Sequence, residues 1–341
     1  MKVDYHLHLE EGPYSFRWLD RTNKALQHFI PVSAPSHSWE WLMQSKALLQ
    51  KRLTEGAFSP FWIDLYLEEA LRKGLTEVGI VDHLYRFKEA KDYYYRHVDI
   101  TDTELGRLQK EWLNQVMIES ISHFTTAIEE AKERWAQKGV TLRLGIEADY
   151  FVGGEEELAE LLKLGNWDYV IGSVHFIDGW GFDNPDTQER FKDKDLPKLY
   201  EAFYATVERA IRSGLFQFVA HLDNMKVFNY RPDENKLIGY YESIAQALKE
   251  TDIATEINAG LYYRYPVKEM CPSPLFLSIL ARYNAPITIS SDSHFPDDIG
   301  SYVSQNVETL LRHGFTEIAT FQNGRRIMKP LVREHTSVSI G

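Results

Sequence analysis

The sequence predicts an α/β barrel, and three observations lead to it. Apolar strand-like runs alternate with amphipathic helical runs along most of the chain. Those strands end, one after another, in side chains able to bind a metal: His6-Leu7-His8, Asp82-His83, Gly145-Ile146-Glu147, Ser173-Val174-His175, Ala220-His221 and Ser291-Asp292-Ser293-His294. The length, 341 residues, is ordinary for one α/β barrel with insertions. In such a barrel the C-terminal ends of the strands meet at one rim, so chemistry repeated at strand ends is gathered in one place. The opening motif shows how. Residues i and i+2 of a strand face the same side, so His6 and His8 reach one point just beyond it. Imidazoles converging in this way suit zinc, iron or manganese.

The elements follow in order. Residues 1–8 read as the first strand. Residues 9–60, aromatic-rich and carrying Pro13, Pro31, Pro35 and Pro60, read as a long insertion. An amphipathic helix covers 62–73 and stops at Gly74, which suits the left-handed residue after a helix. The second strand is 77–81. Residues 84–111, charged and including Tyr93-Tyr94-Tyr95, read as a second insertion ahead of a long helix over 112–137. Strand 142–146, helix 155–164 and strand 169–174 come next. The Gly, Asp and Asn content of 178–195 predicts a loop. Helix 196–212 ends at Gly214. Strand 216–220, helix 234–249, strand 254–257, helix 275–282, strand 286–289 and helix 303–313 complete the alternation, and 317–321 offers a last strand in the tail. No internal repeat or low-complexity linker divides the chain, so a single domain over 1–341 is expected, with its insertions at 9–60 and 84–111 hanging over the rim.

Composition narrows the setting. Hydrophobic residues make up 44% of the chain, enough for a sizeable core. The lone cysteine, Cys271, rules out an internal disulfide framework and suits a reducing cytoplasm. No run approaches membrane-spanning length, and no basic-then-apolar leader opens the chain. A net charge of −12 argues against nucleic acid as a partner, because phosphate backbones are bound through basic surfaces.

The ordered motifs His6-x-His8, Asp82-His83, Gly145-Ile146-Glu147, Ser173-Val174-His175, Ala220-His221 and Ser291-Asp292-Ser293-His294 resemble those of the PHP (polymerase and histidinol phosphatase) family, and most of all its stand-alone histidinol-phosphatase-like members. The resemblance runs from the first strand to at least Asp292. It implies a distorted (β/α)7 TIM-like barrel, the PHP fold, with two or three divalent metal ions (Zn, Fe or Mn). Carried over position by position, it implies that His6, His8, Glu147 and Asp292 hold a first metal, that Glu147 bridges to a second held by His175 and His221, and that His83 and His294 serve a third. One departure stands out. The family has a further histidine six residues past the second His of the opening motif, and here that position is Tyr14. Either Glu11 or Glu10 is the candidate oxygen ligand in its place, or the third metal binds weakly or is absent.

The expected reaction is hydrolysis of a small phosphomonoester, most of all L-histidinol phosphate to L-histidinol and phosphate. Phosphate monoesters resist cleavage because the dianion repels a nucleophile, and enzymes accelerate the reaction by up to ~10²¹-fold. Two metals about 3.5–4 Å apart neutralise phosphoryl charge and lower the pKa of a shared water, so that a metal-bridging hydroxide is available for attack. Glu147, Asp292 and His221 are the expected catalytic residues, the two carboxylates acting as ligands rather than as general acid and base. Asp82 is expected to orient the His83 imidazole. Lys226 and Arg264, on loops following rim strands, are candidate phosphate ligands, and Arg17 in the first insertion is a third; Asn258 either orients substrate or satisfies a turn. His28, His37, His97, His123, His313 and His335 fall outside the motifs. The acidic pair Glu10-Glu11 is a candidate partner for a substrate ammonium. Two other readings compete: a PHP phosphoesterase acting on a nucleotide, a cyclic phosphodiester or phosphotyrosine, and a non-catalytic metal-binding PHP domain. Both metal-facing carboxylates survive here, which argues against the last.

Overall fold

The computed structural model describes residues 2–332. Its strands, in chain order, are β1 (Val3–Asp4), β2 (Glu77–Ile80), β3 (Thr141–Asp149), β4 (Tyr169–Ser173), a short hairpin of β5 (Phe176–Ile177) and β6 (Trp180–Gly181), then β7 (Phe218–Val219), β8 (Ala254–Asn258), β9 (Ile287–Ser290) and a second hairpin of β10 (Glu317–Gln322) and β11 (Arg325–Pro330). Seven of them form one parallel sheet in the order β1-β2-β3-β4-β7-β8-β9. The sheet curls until its edges meet. Tyr5 N donates to Ile289 O (3.1 Å), Asp292 N to His6 O (2.8 Å) and His8 N to Ser293 O (2.7 Å), so the backbone after β1 pairs with the backbone after β9. The result is a nearly closed seven-stranded barrel, the expected TIM-like fold, and it leaves the barrel sheet almost without an edge.

Twelve helices surround it: α1 (Phe16–Phe29), α2 (Trp39–Glu55), α3 (Pro60–Lys73), α4 (Lys91–His97), α5 (Glu104–Val116), α6 (Ile121–Gln137), α7 (Glu155–Leu162), α8 (Leu196–Arg212), α9 (Ile238–Thr251), α10 (Gly260–Arg264), α11 (Pro274–Tyr283) and α12 (Val303–Arg312), counted among the described residues. The start and stop of α3 are local chemistry. Ser59 accepts a hydrogen bond from Trp62 N, Pro60 occupies the first turn, and Gly74 closes the helix at φ 69°. Its buried face, with Trp62, Ile63, Tyr66 and Ala70, covers the barrel wall.

The base of the barrel is closed by aromatic rings. Tyr5, Tyr169, Phe218 and Phe321 pack together with ring centroids 5.1–5.8 Å apart, and all are fully buried. Tyr169 lies across β2 and β3, donating its hydroxyl to Tyr5 O (2.7 Å). A Cβ on Gly145 would fall 2.6 Å from its ring, and Gly79 faces the same hydroxyl, which is why two barrel strands carry glycine there.

The structure differs from the expected element pattern in four places. The insertion at 9–60 is largely helical, holding α1 and α2, because Ser15 and Ser38 each cap a helix start by accepting from a backbone N–H three residues on. The long helix over 112–137 is two helices, α5 and α6, separated where Glu119 N donates to Arg86 O and Lys88 N to Glu119 O. The stretch 178–195 contains β6 and a 3-10 segment, Pro185–Asp193. The tail strand does not join the barrel sheet; β10 pairs antiparallel with β11 and inserts Phe321 under the base. His335 and Met1 lie outside the described residues.

Candidate metal centre

At the opposite end, eight imidazole and carboxylate side chains from six strand ends converge, and all but Asp292 are nearly sealed from solvent. Glu147, on β3, is their centre. Its Oε1 lies 3.1 Å from His221 Nε2 and 3.7 Å from His175 Nε2. Its Oε2 lies 2.7 Å from His83 Nδ1, 3.3 Å from His6 Nε2 and 3.4 Å from His8 Nε2. The two oxygens of one carboxylate thus face two separate groups of imidazoles. Asp292 Oδ1 stands 3.7 Å from His8 Nε2 and 3.9 Å from His6 Nε2. His8 is stacked between His83 and His294, with centroids 4.0 and 4.4 Å away. Four triads have ligand-capable atoms within 4.8 Å of one another: His6/Glu147/His221, His6/His8/Asp292, His83/Glu147/His175 and His8/His83/His294.

The backbone bends to make this geometry. His221 sits at φ 27° and Asp292 at φ 53°, conformations that L side chains rarely adopt and that cost roughly 1–3 kcal/mol each. Gly260 lies so close to Asp292 that a Cβ there would collide with its carboxylate. Both strained residues carry cluster side chains, and each lies two residues past a fully buried strand, His221 after β7 and Asp292 after β9.

The donor set fits metal cations. His6 Nδ1 lies 3.1 and 3.2 Å from the two oxygens of Glu256, and His175 Nδ1 lies 2.8 Å from Asp149 Oδ1. A carboxylate on one ring nitrogen takes that nitrogen's proton as a hydrogen bond and turns the other nitrogen's lone pair outward. Those outward atoms meet: His6 Nε2 and His8 Nε2 are 3.1 Å apart, and His175 Nε2 and His221 Nε2 are 3.2 Å apart. Glu147 Oε2, fully buried, receives no well-aligned hydrogen bond. Lone pairs turned on one another around a buried carboxylate are the arrangement a bound cation satisfies.

Electrostatics agree. Burial pulls the His6 imidazole down, but Glu256, Glu147 and Asp292 outweigh it and hold its pKa well above the ordinary value. Burial likewise opposes, and Asp149 and Asp183 overcome, a rise of the His175 imidazole to about 10. Burial raises the Glu147 carboxyl, yet His83 and His6 hold it well below the usual range. His8 and His294 go the other way, driven down by burial and by neighbouring positive charge, and so offer neutral imidazoles. The site is a well for positive charge.

The predicted site residues divide clearly. His6, His8, His83, Glu147, His175, His221, Asp292 and His294 are brought together. Arg264, on α10, joins them: its Nη1 reaches Asp292 O (3.3 Å) and Oδ1 (3.4 Å). Glu11 is corrected. Its carboxylate is 2.6 Å from Arg264 Nη2 and belongs to none of the triads, because the guanidinium holds it outside the cluster. Glu10 is tied to Arg52 (2.5 Å) and Trp18 Nε1 (2.6 Å), and Tyr14 leans on Trp18 at the surface. Lys226 is not brought to the cluster: its ammonium is buried against Asp223 (2.8 Å) and Met270 O (2.7 Å). Arg17 is exposed on the first turn of α1 and makes no contact with the cluster. Asp82 does not orient the His83 ring; it accepts from the His83 backbone N–H (2.9 Å) and from Arg86 Nε (3.2 Å). Asn258 serves a turn, accepting from Gly260 N (2.7 Å) while donating to Glu256 (2.9 Å).

Two functional carboxylates escape the sequence reading, Glu256 and Asp149. Both left a signal. Glu256 is a charge inside an apolar strand, and Asp149 lies two residues past Glu147 on the same strand. Glu256 further accepts from His221 N (3.0 Å) and Ser290 Oγ (2.6 Å), and Asp149 from Tyr94 (2.7 Å).

A parallel barrel with a polyhistidine–carboxylate cluster at the C-terminal rim defines a class of metal-dependent barrels, and sequence comparison sharpens it. The PHP domain model matches residues 59–260, more than half of the chain, and the protein belongs to the PHP family. A Deinococcus radiodurans protein named "Probable histidinol-phosphatase" is 35% identical over 197 residues, covering 58% of this chain and 74% of its own length. The histidinol-phosphatase of Lactococcus lactis is 24% identical over 282 residues, 77% of this chain and 89% of that one. A crystal structure of histidinol phosphate phosphatase from L. lactis, complexed with zinc, L-histidinol and phosphate, shares the fold with a TM-score of 0.59 at 16% identity, over 96% of this chain and 98% of its own. No helix among the described residues is long and apolar enough to cross a membrane.

Proposed function

We propose that the protein is a metal-dependent phosphatase that hydrolyses L-histidinol phosphate to L-histidinol and phosphate. The observation that carries this reading is the placement of Glu147, with one oxygen toward His175 and His221 and the other toward His6, His8 and His83. The relatives named for this activity give the substrate.

Divalent ions bound by these residues would neutralise phosphoryl charge and supply a nucleophilic water near neutral pH. The remainder of the mechanism belongs to the chain. Glu147 would bridge two ions, with His175 and His221 on one side and His6, His8 and Asp292 on the other, and the imidazoles of His83 and His294 would complete a third position. Glu256 and Asp149 fix the tautomers and ring orientations of His6 and His175, so the ligands need not reorganise as charge develops on the phosphoryl group. Arg264, beside Asp292, presents a planar guanidinium that can meet phosphoryl oxygens in a forked geometry a lysine cannot reproduce. In the overall reaction the water oxygen would bond to phosphorus as the bond from phosphorus to the ester oxygen breaks, and the alkoxide would take up the proton that the water gives up, yielding the alcohol and inorganic phosphate. The acidic surface, with net charge −12, disfavours polynucleotide substrates. A reducing cytoplasm is the proposed setting, in keeping with the single, free and buried Cys271.

The test is metal content of the purified protein together with phosphate release from L-histidinol phosphate and a panel of other phosphomonoesters. Two or three ions per chain and selective release from L-histidinol phosphate are expected. Metal-loaded protein that releases phosphate only from other esters would discard the substrate, and protein that binds no metal after reconstitution would discard the function.

A further inference from the structure

Near the cluster, almost every acid has a partner. Asp149 is held by His175 and Tyr94, Glu256 by His6 and Ser290, Glu10 by Arg52 and Trp18, Glu11 by Arg264, and Asp82 by Arg86. Asp183 is different. It lies just past the β5–β6 hairpin, and its Oδ2 stands 3.9 Å from His175 Nε2 at the lip of the site. Among the described residues no lysine or arginine pairs with it, and its side chain remains 31% exposed, so a solute can reach it.

Its surroundings are aromatic. Tyr85 stacks on His83 with centroids 4.5 Å apart, and Trp112 packs 4.8 Å from Tyr85. The Asp183 charge is the strongest one acting on the Tyr85 hydroxyl, and it also bears on Tyr265, next to Arg264. Tyr85, Trp112 and Tyr265 are each only partly buried. A partly exposed carboxylate whose one charged neighbour is an imidazole of the cluster, with no lysine or arginine beside it and partly exposed aromatic side chains in the same region, is suited to receive an organic cation. The other acids that could have served, Glu10 and Glu11, are neutralised by arginines.

We propose that Asp183 is the specificity-determining residue of the site, binding the cationic part of the substrate's alcohol moiety while the phosphoryl group lies on the cluster and against Arg264. This rests on the phosphatase reading above. In L-histidinol phosphate the amino group sits on the carbon next to the ester carbon, so ammonium and phosphate must be received side by side. Asp183 and Arg264 offer opposite charges on the two flanks of one cluster, which also sets the orientation of the ester. A neutral alcohol gains nothing from Asp183.

The experiment compares kcat/KM of metal-loaded wild type and Asp183→Asn on L-histidinol phosphate and on phenyl phosphate. Loss of a charge-assisted contact corresponds to a fall in the selectivity ratio of about 10- to 100-fold, carried mainly by KM. Asp183→Glu keeps the charge and should retain most of the ratio, and metal content should stay at the wild-type level in both variants. Equal losses on both esters, depleted metal or an unchanged ratio would each overturn the assignment. If wild type hydrolyses phenyl phosphate but not L-histidinol phosphate, the substrate reading fails by itself. The same ratio is then read with O-phosphoethanolamine: a selective loss in Asp183→Asn upholds the role of Asp183, and its absence overturns it.

Discussion

The two ends of the barrel are built from the same strands and solve opposite problems. At the base, Tyr5, Tyr169, Phe218 and Phe321 fill the interior with rings, and the polar atoms that must be buried are satisfied, as where Tyr169 donates to Tyr5 O. At the rim, imidazoles and carboxylates are just as buried, but lone pairs face one another and two residues sit at positive φ. Apolar burial stabilises the fold by roughly 25 cal/mol per Å². Buried charge and backbone strain oppose it. Stability is therefore concentrated at one end, and the capacity to bind cations at the other.

Substitutions should separate the two ends. The largest effect is expected from Glu147→Gln. Turnover should fall on the order of 10³-fold or more, because each oxygen of the carboxylate serves a different group of ligands. Metal analysis should show the loss of ions, while circular dichroism should stay native. An equal collapse of fold and activity would contradict the division. Phe321→Ala is the mirror experiment at the base. It should cost about 3–5 kcal/mol in urea or thermal unfolding and leave kcat per folded molecule unchanged. A large change in kcat would mean that the two ends are coupled.

Smaller effects fall on the residues that orient ligands. Glu256→Gln and Asp149→Asn should each weaken metal affinity about 10- to 100-fold, as measured by competition with a chelating dye. An unchanged affinity would reduce these carboxylates to packing groups. The gentlest probe is pH. His175 in the folded, metal-free protein is pushed up to about 10, above its unfolded value, by Asp149 and Asp183 against the opposing effect of burial. A raised pKa means that the folded state holds the extra proton, so this contribution is fully present below about pH 6.5 and is lost as pH rises toward 10. The Tm of chelator-treated protein should accordingly decline between pH 7 and 10, while metal-loaded protein, in which the proton has been displaced, should show a flatter profile. Parallel profiles would sink this account.

The rim could be read from residues because strand geometry is local. His6 and His8 share a face by the alternation of the pleat, Glu147 lies near the end of β3, and His175, His221 and Asp292 each sit just past the end of a strand. The alternation of helix and strand that implied a barrel is likewise a short-range pattern, and it held for all seven strands of the sheet. Legibility ended where a residue's role depended on a distant partner. Lys226 follows His221 closely in sequence, yet Asp223 and the Met270 carbonyl draw its ammonium inward. Glu11 follows the opening motif, yet Arg264, far along the chain, holds it out of the cluster. The strand expected over 317–321 is present as β10, but its partner, β11, and its burial against rings from other strands depend on contacts that the local pattern does not carry.

What the sequence determined by itself is the ligand inventory and the order in which strands deliver it, since both follow from side-chain identity and a two-residue repeat. The tertiary structure alone decided which charge neutralises which. That choice assigned Glu10 to Arg52, Glu11 to Arg264, Glu256 to His6 and Asp149 to His175, and it left Asp183 beside the cluster with no lysine or arginine partner among the described residues. The physical reason is that Coulomb and hydrogen-bond energies depend on distance and burial in space, to which separation along the chain is no guide.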